Sequence, residues 1–169
     1  MGVSLESLLE SRDRRRCRQL ELIGTYPDLA LVSLTVNIPG SEKRTPESVG
    51  TGNAGTEALI LAFGDKIRHI ERYDRETGFE AFLLVDIGRE DAKRTAVEIE
   101  EEHPLGRIMD IDVIGADGVP LSRECFGHPG RKCMLCDKPA RICMRSGTHT
   151  TDELLSFIKY KWDEYVRGF

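Results

Sequence analysis

Asp110 and Asp112 stand one residue apart in the apolar run Met109-Asp-Ile-Asp-Val-Ile114. Read as a strand, the run turns Met109, Ile111 and Val113 to one side and both carboxylates to the other. Their Cβ atoms then lie about 7 Å apart, within reach of one hard divalent cation or one phosphate-bearing ligand. An edge strand with a solvated acidic face has the same pattern, so spacing alone leaves both readings open. A second group is cationic: five arginines occupy seven positions between Arg12 and Arg18. Like charges this dense repel by a few tenths of a kcal/mol per i,i+4 pair, which an anionic ligand would relieve; a solvated helix face is the alternative. Asp13 among them can serve as a local ion pair. The third group is Cys133, Cys136, Cys143 and His149, spaced C-x2-C-x6-C-x5-H. A tetrahedral zinc site can use that set, and the first pair with Asp137-Lys-Pro139 resembles a zinc-knuckle turn. Cys133, Cys136, Ala140 and Cys143 also follow helical a/d spacing, which would make them packed core thiols, although Pro139 argues against one continuous helix. A catalytic or redox thiol is the third option. Cys17 and Cys125 lack partners in the sequence, His69 reads as a surface residue on a helix, and His128 as a spare ligand at most.

Composition narrows what these groups can serve. The 169 residues are 40% hydrophobic and 31% charged, ordinary for a soluble protein and enough for one domain with a real core. A net charge of −5 excludes a general nucleic-acid binder. The first residues, MGVSLESLLESRD, contain no apolar core of signal-peptide length, and Glu6 breaks the myristoylation pattern. The apolar runs are too short to span a bilayer. Five cysteines without a secretion signal point to a cytoplasmic protein with free thiols or metal ligands.

The elements that must position these groups follow from periodicity. Residues 4–24 read as a helix carrying the arginines, and Leu29–Ile38 as a central strand ending at Pro39-Gly40. The polar stretch Gly40–Gly55, with Gly50, Gly52 and Gly55, reads as a loop that is either flexible or a phosphate cradle, opening a helix from about Thr56 to Tyr73. Phe79–Ile87 is a second buried strand, and Arg89–Glu102 a helix stopped by His103-Pro104. The Asp110–Asp112 strand should then turn through Ala116-Asp117-Gly118 into a hairpin partner at Val119–Arg123. Thr150-Thr-Asp-Glu153 is a capping box for a last helix that buries Leu154, Leu155, Ile158, Trp162 and Tyr165. The order implies an α+β fold, a mixed sheet of about four strands with helices packed on it. The glycine fingerprint and repeated strand-helix units of a Rossmann fold are missing.

Four blocks together resemble a known family: Leu8-Leu-Glu-Ser-Arg-Asp-Arg-Arg15 with Gln19, Ser33–Gly40, His103–Val113, and Arg131–His149 with its cysteine spacing. In this order the chain is similar to the citrate lyase holo-acyl-carrier-protein synthases, the CitX family of apo-citrate lyase phosphoribosyl-dephospho-CoA transferases. The resemblance implies attachment of 2'-(5''-triphosphoribosyl)-3'-dephospho-CoA to a serine of the apo acyl-carrier subunit of citrate lyase, with release of diphosphate. For such a reaction Asp110 and Asp112 are the expected Mg²⁺ ligands, while Arg12, Arg15 and Arg107 grip triphosphate oxygens. Asp13 orients the arginines or takes the serine proton, and Gln19 lies on the substrate side. Arg145 and His149 join the site if the cysteine segment folds over it. Gly106-Arg107 before Asp110 distantly resembles the Gly-Ser turn before the Asp-x-Asp strand of nucleotidyltransferase folds, with Arg107 in place of the serine. The alternative function is a non-catalytic, zinc-stabilised module that binds the carrier. Of the candidate docking surfaces, the arginine-rich first helix suits an acidic carrier better than the acidic helix end Glu98–Glu102.

Overall fold

A computed structural model describes residues 2–168. Helix α1 (Leu5–Thr25) starts where the Ser4 side chain accepts the Ser7 backbone N–H at 3.1 Å. Strand β1 (Ala30–Val36) follows, then α2 (Pro46–Phe63), β2 (Ile67–Arg75), β3 (Gly78–Val85), α3 (Arg89–Glu102), β4 (Met109–Ile114), α4 (Ala140–Ser146) and α5 (Thr151–Arg167). The strands form one sheet in the order β2-β3-β1-β4. All its pairings are antiparallel, which sharpens the expected mixed sheet. As expected, β1 is central.

The two sheet faces differ. Val32 and Leu34 of β1, Ala81 and Leu83 of β3, and Met109, Ile111 and Val113 of β4 point into the main core beneath α2, α3 and α5. On the other face Leu31, Phe82, Leu84 and Ile114 meet Leu22 and Ile23 of α1 in a smaller cluster. Full burial of each such side chain is worth about 1.5–3 kcal/mol. That cluster covers only the part of the face under the C-terminal half of α1. Under the arginine-bearing part the same face is polar, because the alternation that buries Val32, Leu34 and Ile111 turns Ser33, Thr35 and Asp110 outward.

Strand β4 is an edge strand, and its free side is occupied. Glu100 accepts the Ile111 N–H at 2.8 Å, Lys93 donates to the Ile111 carbonyl at 3.4 Å, and Arg131 donates to the Met109 carbonyl at 2.6 Å. The Leu121 N–H reaches the Val113 carbonyl at 2.8 Å. These partners leave no free ladder for another chain to extend.

Three expectations are corrected. The glycine-rich stretch is neither a flexible loop nor a phosphate cradle, since α2 already begins at Pro46 with a capping box at Thr45. A Cβ on Gly50 would fall 2.0 Å from the Trp162 ring, and one on Gly52 would fall 2.2 Å from the Phe79 ring. These glycines let α5 and β3 pack directly on the helix backbone. The helix expected over 56–73 ends at Phe63, where Gly64 (φ +50°) breaks it, and the chain re-enters the sheet as β2. The hairpin partner Val119–Arg123 shrinks to one bridge between Ile114 and Pro120. Pro120 has no N–H with which to continue a ladder, and the chain turns into a short 3-10 helix at Arg123. Among the described residues no helix is long and apolar enough to cross a membrane.

Candidate functional site

Two rows of polar side chains cross the α1 face of the sheet. In antiparallel register Thr35 lies between Asp110 and Glu80, and Ser33 between Asp112 and Phe82. Asp110 and Asp112 therefore share a face, as their spacing requires, with two hydroxyls beside them. Asp112 is the more deeply placed. Burial, then the neighbouring Asp110, pushes its carboxyl up to about 6. Two carboxylates side by side on one face could hold a divalent cation, although Arg131 already pairs with Asp110.

Helix α1 supplies three groups above this face. Gln19, buried, donates to the Ser33 hydroxyl at 3.0 Å. Arg15 donates to Glu80 at 3.1 Å, and Ser11 lies 3.5 Å from the same carboxylate oxygen. Glu80 is 4% exposed, and Arg75 approaches its other oxygen at 3.9 Å. The Arg75 Nε is buried without a hydrogen-bond acceptor, and its guanidinium stacks on the Tyr73 ring at 4.4 Å. Arg12 is exposed with no hydrogen bond or ion pair to a described residue. Burial, then the charge of Arg12, holds the Lys43 ammonium below its ordinary value, so two cations adjoin at this end of α1. Asp13 is exposed and likewise without a partner among the described residues.

The remaining α1 arginines are engaged within the chain. Arg14 donates to Ser11, Arg16 to the Gly118 carbonyl, and Arg18 to Glu71.

Arg107 and Arg131 exchange places relative to expectation. The Arg107 guanidinium donates to the carbonyls of Lys132 and Cys133, away from the aspartates. Arg131 instead reaches Asp110, Nη1 to Oδ1 at 3.0 Å, and lies 3.6 Å from Glu100. The two arginines clasp the cysteine segment to the start of β4 in opposite directions. Sequence reasoning missed Arg131, Glu80 and Glu100. Arg131 lay inside a quoted block and Glu80 alternated with core residues in β3, but only the folded sheet shows which carboxylates they meet.

Cys133, Cys136, Cys143 and His149 converge. Their ligand atoms all lie within 4.8 Å of one another, with Cys136 Sγ 3.5 Å from Cys143 Sγ and 3.4 Å from His149 Nε2. Tetrahedral bonds of about 2.3 Å to sulfur and about 2.0 Å to nitrogen give edges of roughly 3.5–3.8 Å, whereas a disulfide needs about 2.05 Å. This Cys3His set can therefore hold a metal ion. The single helix that would have carried all three thiols is broken where Pro139 predicted, because α4 starts only at Ala140 and leaves Cys133 and Cys136 in the preceding turn, although Cys133 and Cys143 are buried. Burial raises the Cys133 thiol, but the N–H groups of Leu135 and Cys136 and the neighbouring thiols outweigh it and hold its pKa below normal. His128 is not part of the cluster, His69 is an exposed residue of β2, and Cys17 and Cys125 are exposed and free. Arg145 lies exposed on α4, with no partner among the described residues.

Residues 3–165 match the family model described as apo-citrate lyase phosphoribosyl-dephospho-CoA transferase. The chain belongs to this family of transferases. A Citrobacter koseri protein named apo-citrate lyase phosphoribosyl-dephospho-CoA transferase is 38% identical over 157 residues, covering 91% of this chain and 85% of its own. Proteins named as probable members from Vibrio cholerae serotype O1 and Streptococcus pyogenes serotype M18 are 37% and 34% identical. They cover 98% and 93% of this chain and 94% and 84% of their own lengths, respectively. The family match does not favour a purely structural binding module.

Proposed function

We propose that the chain transfers the phosphoribosyl-dephospho-CoA group of 2'-(5''-triphosphoribosyl)-3'-dephospho-CoA to a serine of the apo acyl-carrier subunit of citrate lyase. The family match over nearly the whole chain supports the substrate pair. What carries the chemistry is the pair Asp110 and Asp112, which share a face of β4 under a cationic helix. A Mg²⁺ ion bound there would neutralise phosphate charge and orient the diphosphate leaving group. Asp110 and Asp112 would be its protein ligands, as nucleotidyltransferase-type chemistry requires. Arg12, Arg15 and Lys43 surround the triphosphate, with Glu80 holding Arg15 in place. Gln19 and Ser33 fix the floor beside Asp112. The serine hydroxyl forms a new bond to the α-phosphorus, the bridging bond to the β-phosphate breaks, and diphosphate departs with both electrons. The serine proton passes to a base, for which Asp13 is a candidate. The Cys133, Cys136, Cys143 and His149 set would hold a structural Zn²⁺, which would shape the segment bearing Arg131.

Incubating the protein with apo carrier, triphosphoribosyl-dephospho-CoA and Mg²⁺ should add the mass of the phosphoribosyl-dephospho-CoA group to the carrier. An unchanged carrier mass would sink the assignment. Asp110→Asn and Asp112→Asn should each abolish labelling in a folded protein; full labelling by both would refute the metal-carboxylate chemistry.

A further inference from the structure

The segment from Arg131 to His149 carries five basic residues, Arg131, Lys132, Lys138, Arg141 and Arg145, against the single acidic Asp137. It is strongly basic within a chain of net charge −5. Its helix α4 buries only Cys143 and exposes Arg141, Ile142, Met144 and Arg145. Ile142 is 51% exposed and Met144 82%, so two large apolar side chains stand between two cations on a surface nothing in the fold covers. A cluster of this kind is unusual on a solvated face, since methionine and arginine are enriched where proteins meet.

This surface adjoins Arg131, the partner of Asp110. A cavity of about 520 Å³ is lined by Arg131, Lys132, Arg141 and Met144, with Glu124 and Asp137 as its two acidic residues. Arg131 at its inner side is the residue that holds Asp110. The α4 surface is thus joined to Asp110 through the Arg131 side chain. On α1, Arg14, Arg15, Arg16 and Arg18 are engaged within the chain and Arg12 is not, whereas on α4 Arg145 has no partner among the described residues and Arg141 has a 3.7 Å pair with Glu124 in which both side chains are exposed. This weakens the sequence-based choice of α1 as the docking surface.

We propose that the exposed face of α4 is the docking surface for the protein that presents the acceptor serine, received through an acidic, amphipathic helix on that partner. The inference rests on the transferase reading for the partner's identity. Its chemistry comes from the face itself, with Arg141 and Arg145 taking the partner's carboxylates and Ile142 and Met144 its apolar side chains. The three thiols and His149 keep this seven-residue helix in place, since so short a helix is unstable alone.

The test is calorimetric binding of apo carrier to the wild-type protein, Arg141→Glu, Met144→Asp and the conservative Arg141→Lys. Unchanged metal content and thermal melting certify that each variant is folded. Arg141→Glu and Met144→Asp should weaken the carrier Kd about tenfold or more, the loss typical of a central contact, while Arg141→Lys stays close to wild type. Raising salt should weaken wild-type binding more than that of Arg141→Glu. In steady state the loss should fall on KM for the carrier, with kcat and KM for the nucleotide substrate held. Equal carrier affinity for all four proteins, or no binding by the wild type, overturns the inference. Carrier labelling is read separately, so a protein that labels the carrier yet ignores Arg141→Glu refutes the docking face alone. One that binds through α4 but never labels refutes the transferase alone.

Discussion

Replacing Glu100 should destabilise the protein by an amount that separates its two roles. Its side chain is 5% exposed and does three things: it accepts the Ile111 N–H at 2.8 Å, pairs with Arg123 at 2.8 Å, and lies 3.6 Å from Arg131. In Glu100→Ala the buried Ile111 N–H loses its acceptor, a loss of about 1–3 kcal/mol. Arg123, 12% exposed, loses its nearer carboxylate and keeps Glu101 and the Pro129 carbonyl, each at 3.5 Å. Breaking a fully buried pair costs about 3–5 kcal/mol, and the surviving Glu101 contact reduces that share. The sum is about 3–4 kcal/mol, a fall in Tm of roughly 10 °C for a chain this long. Glu100→Gln keeps an oxygen for the Ile111 N–H and gives up only the charge, so about half that loss should follow. Urea denaturation followed by circular dichroism measures both. If Glu100→Ala lies within 1 kcal/mol of wild type, or Gln equals Ala, the edge-sealing role of Glu100 is wrong.

Other perturbations address the site and its surroundings. Arg131→Ala should lower kcat for carrier labelling by about 10- to 100-fold, and Arg131→Lys should not restore it, because one ammonium cannot span both Asp110 and the Met109 carbonyl. Full activity in either variant would show that Asp110 needs no such partner. The purified protein should carry about one equivalent of zinc, and Cys143→Ser should lose it and become cleavable between residues 131 and 149, because only Cys133 and Cys143 are buried there. Metal analysis with limited proteolysis decides this, and a metal-free wild type equally resistant to protease would reject it. Acid stability should depend on Glu71, whose carboxyl the Arg18 guanidinium holds at about 2 against the opposing effect of burial, with His69 and Tyr73 assisting. A folded pKa below the ordinary 4.5 means that this stabilisation is present above pH 4.5 and fades as pH falls toward 2. Glu71→Gln should flatten that part of the stability-pH curve, and an unaltered slope would count against it.

Some of the molecule was legible because pattern and environment agree. The alternation in β4 named both aspartates, the capping box named the start of α5, and His103-Pro104 stopped α3. Strand β2 was not legible, for a specific reason. A bulge between Ile67 and His69 brings Ile67 and Ile70 onto one face of the strand although they are three residues apart, which is helical spacing. The glycines of α2 misled in the opposite sense, since a residue without a side chain carries no periodicity, and its packing partners, Trp162 and Phe79, lie far away in the sequence. The four residues that could hold a metal ion were visible from spacing alone. The exchange between Arg107 and Arg131 was not, because which arginine faces a carboxylate depends on how a loop crosses a sheet edge.

The bare stretch of α2 beneath Trp162 and Phe79 also bears on what the helix depends on to stay folded. Gly50, Gly52 and Gly55 each lower helix propensity by about 1 kcal/mol relative to alanine, so this segment has little tendency to coil by itself. What holds it helical is contact with β3 and α5, and α5 lies at the far end of the chain. The stability of helix α2 should therefore depend on the sheet and on the last helix, and a chain shortened before Trp162 should lose helix content in the first half of α2 as well as in α5.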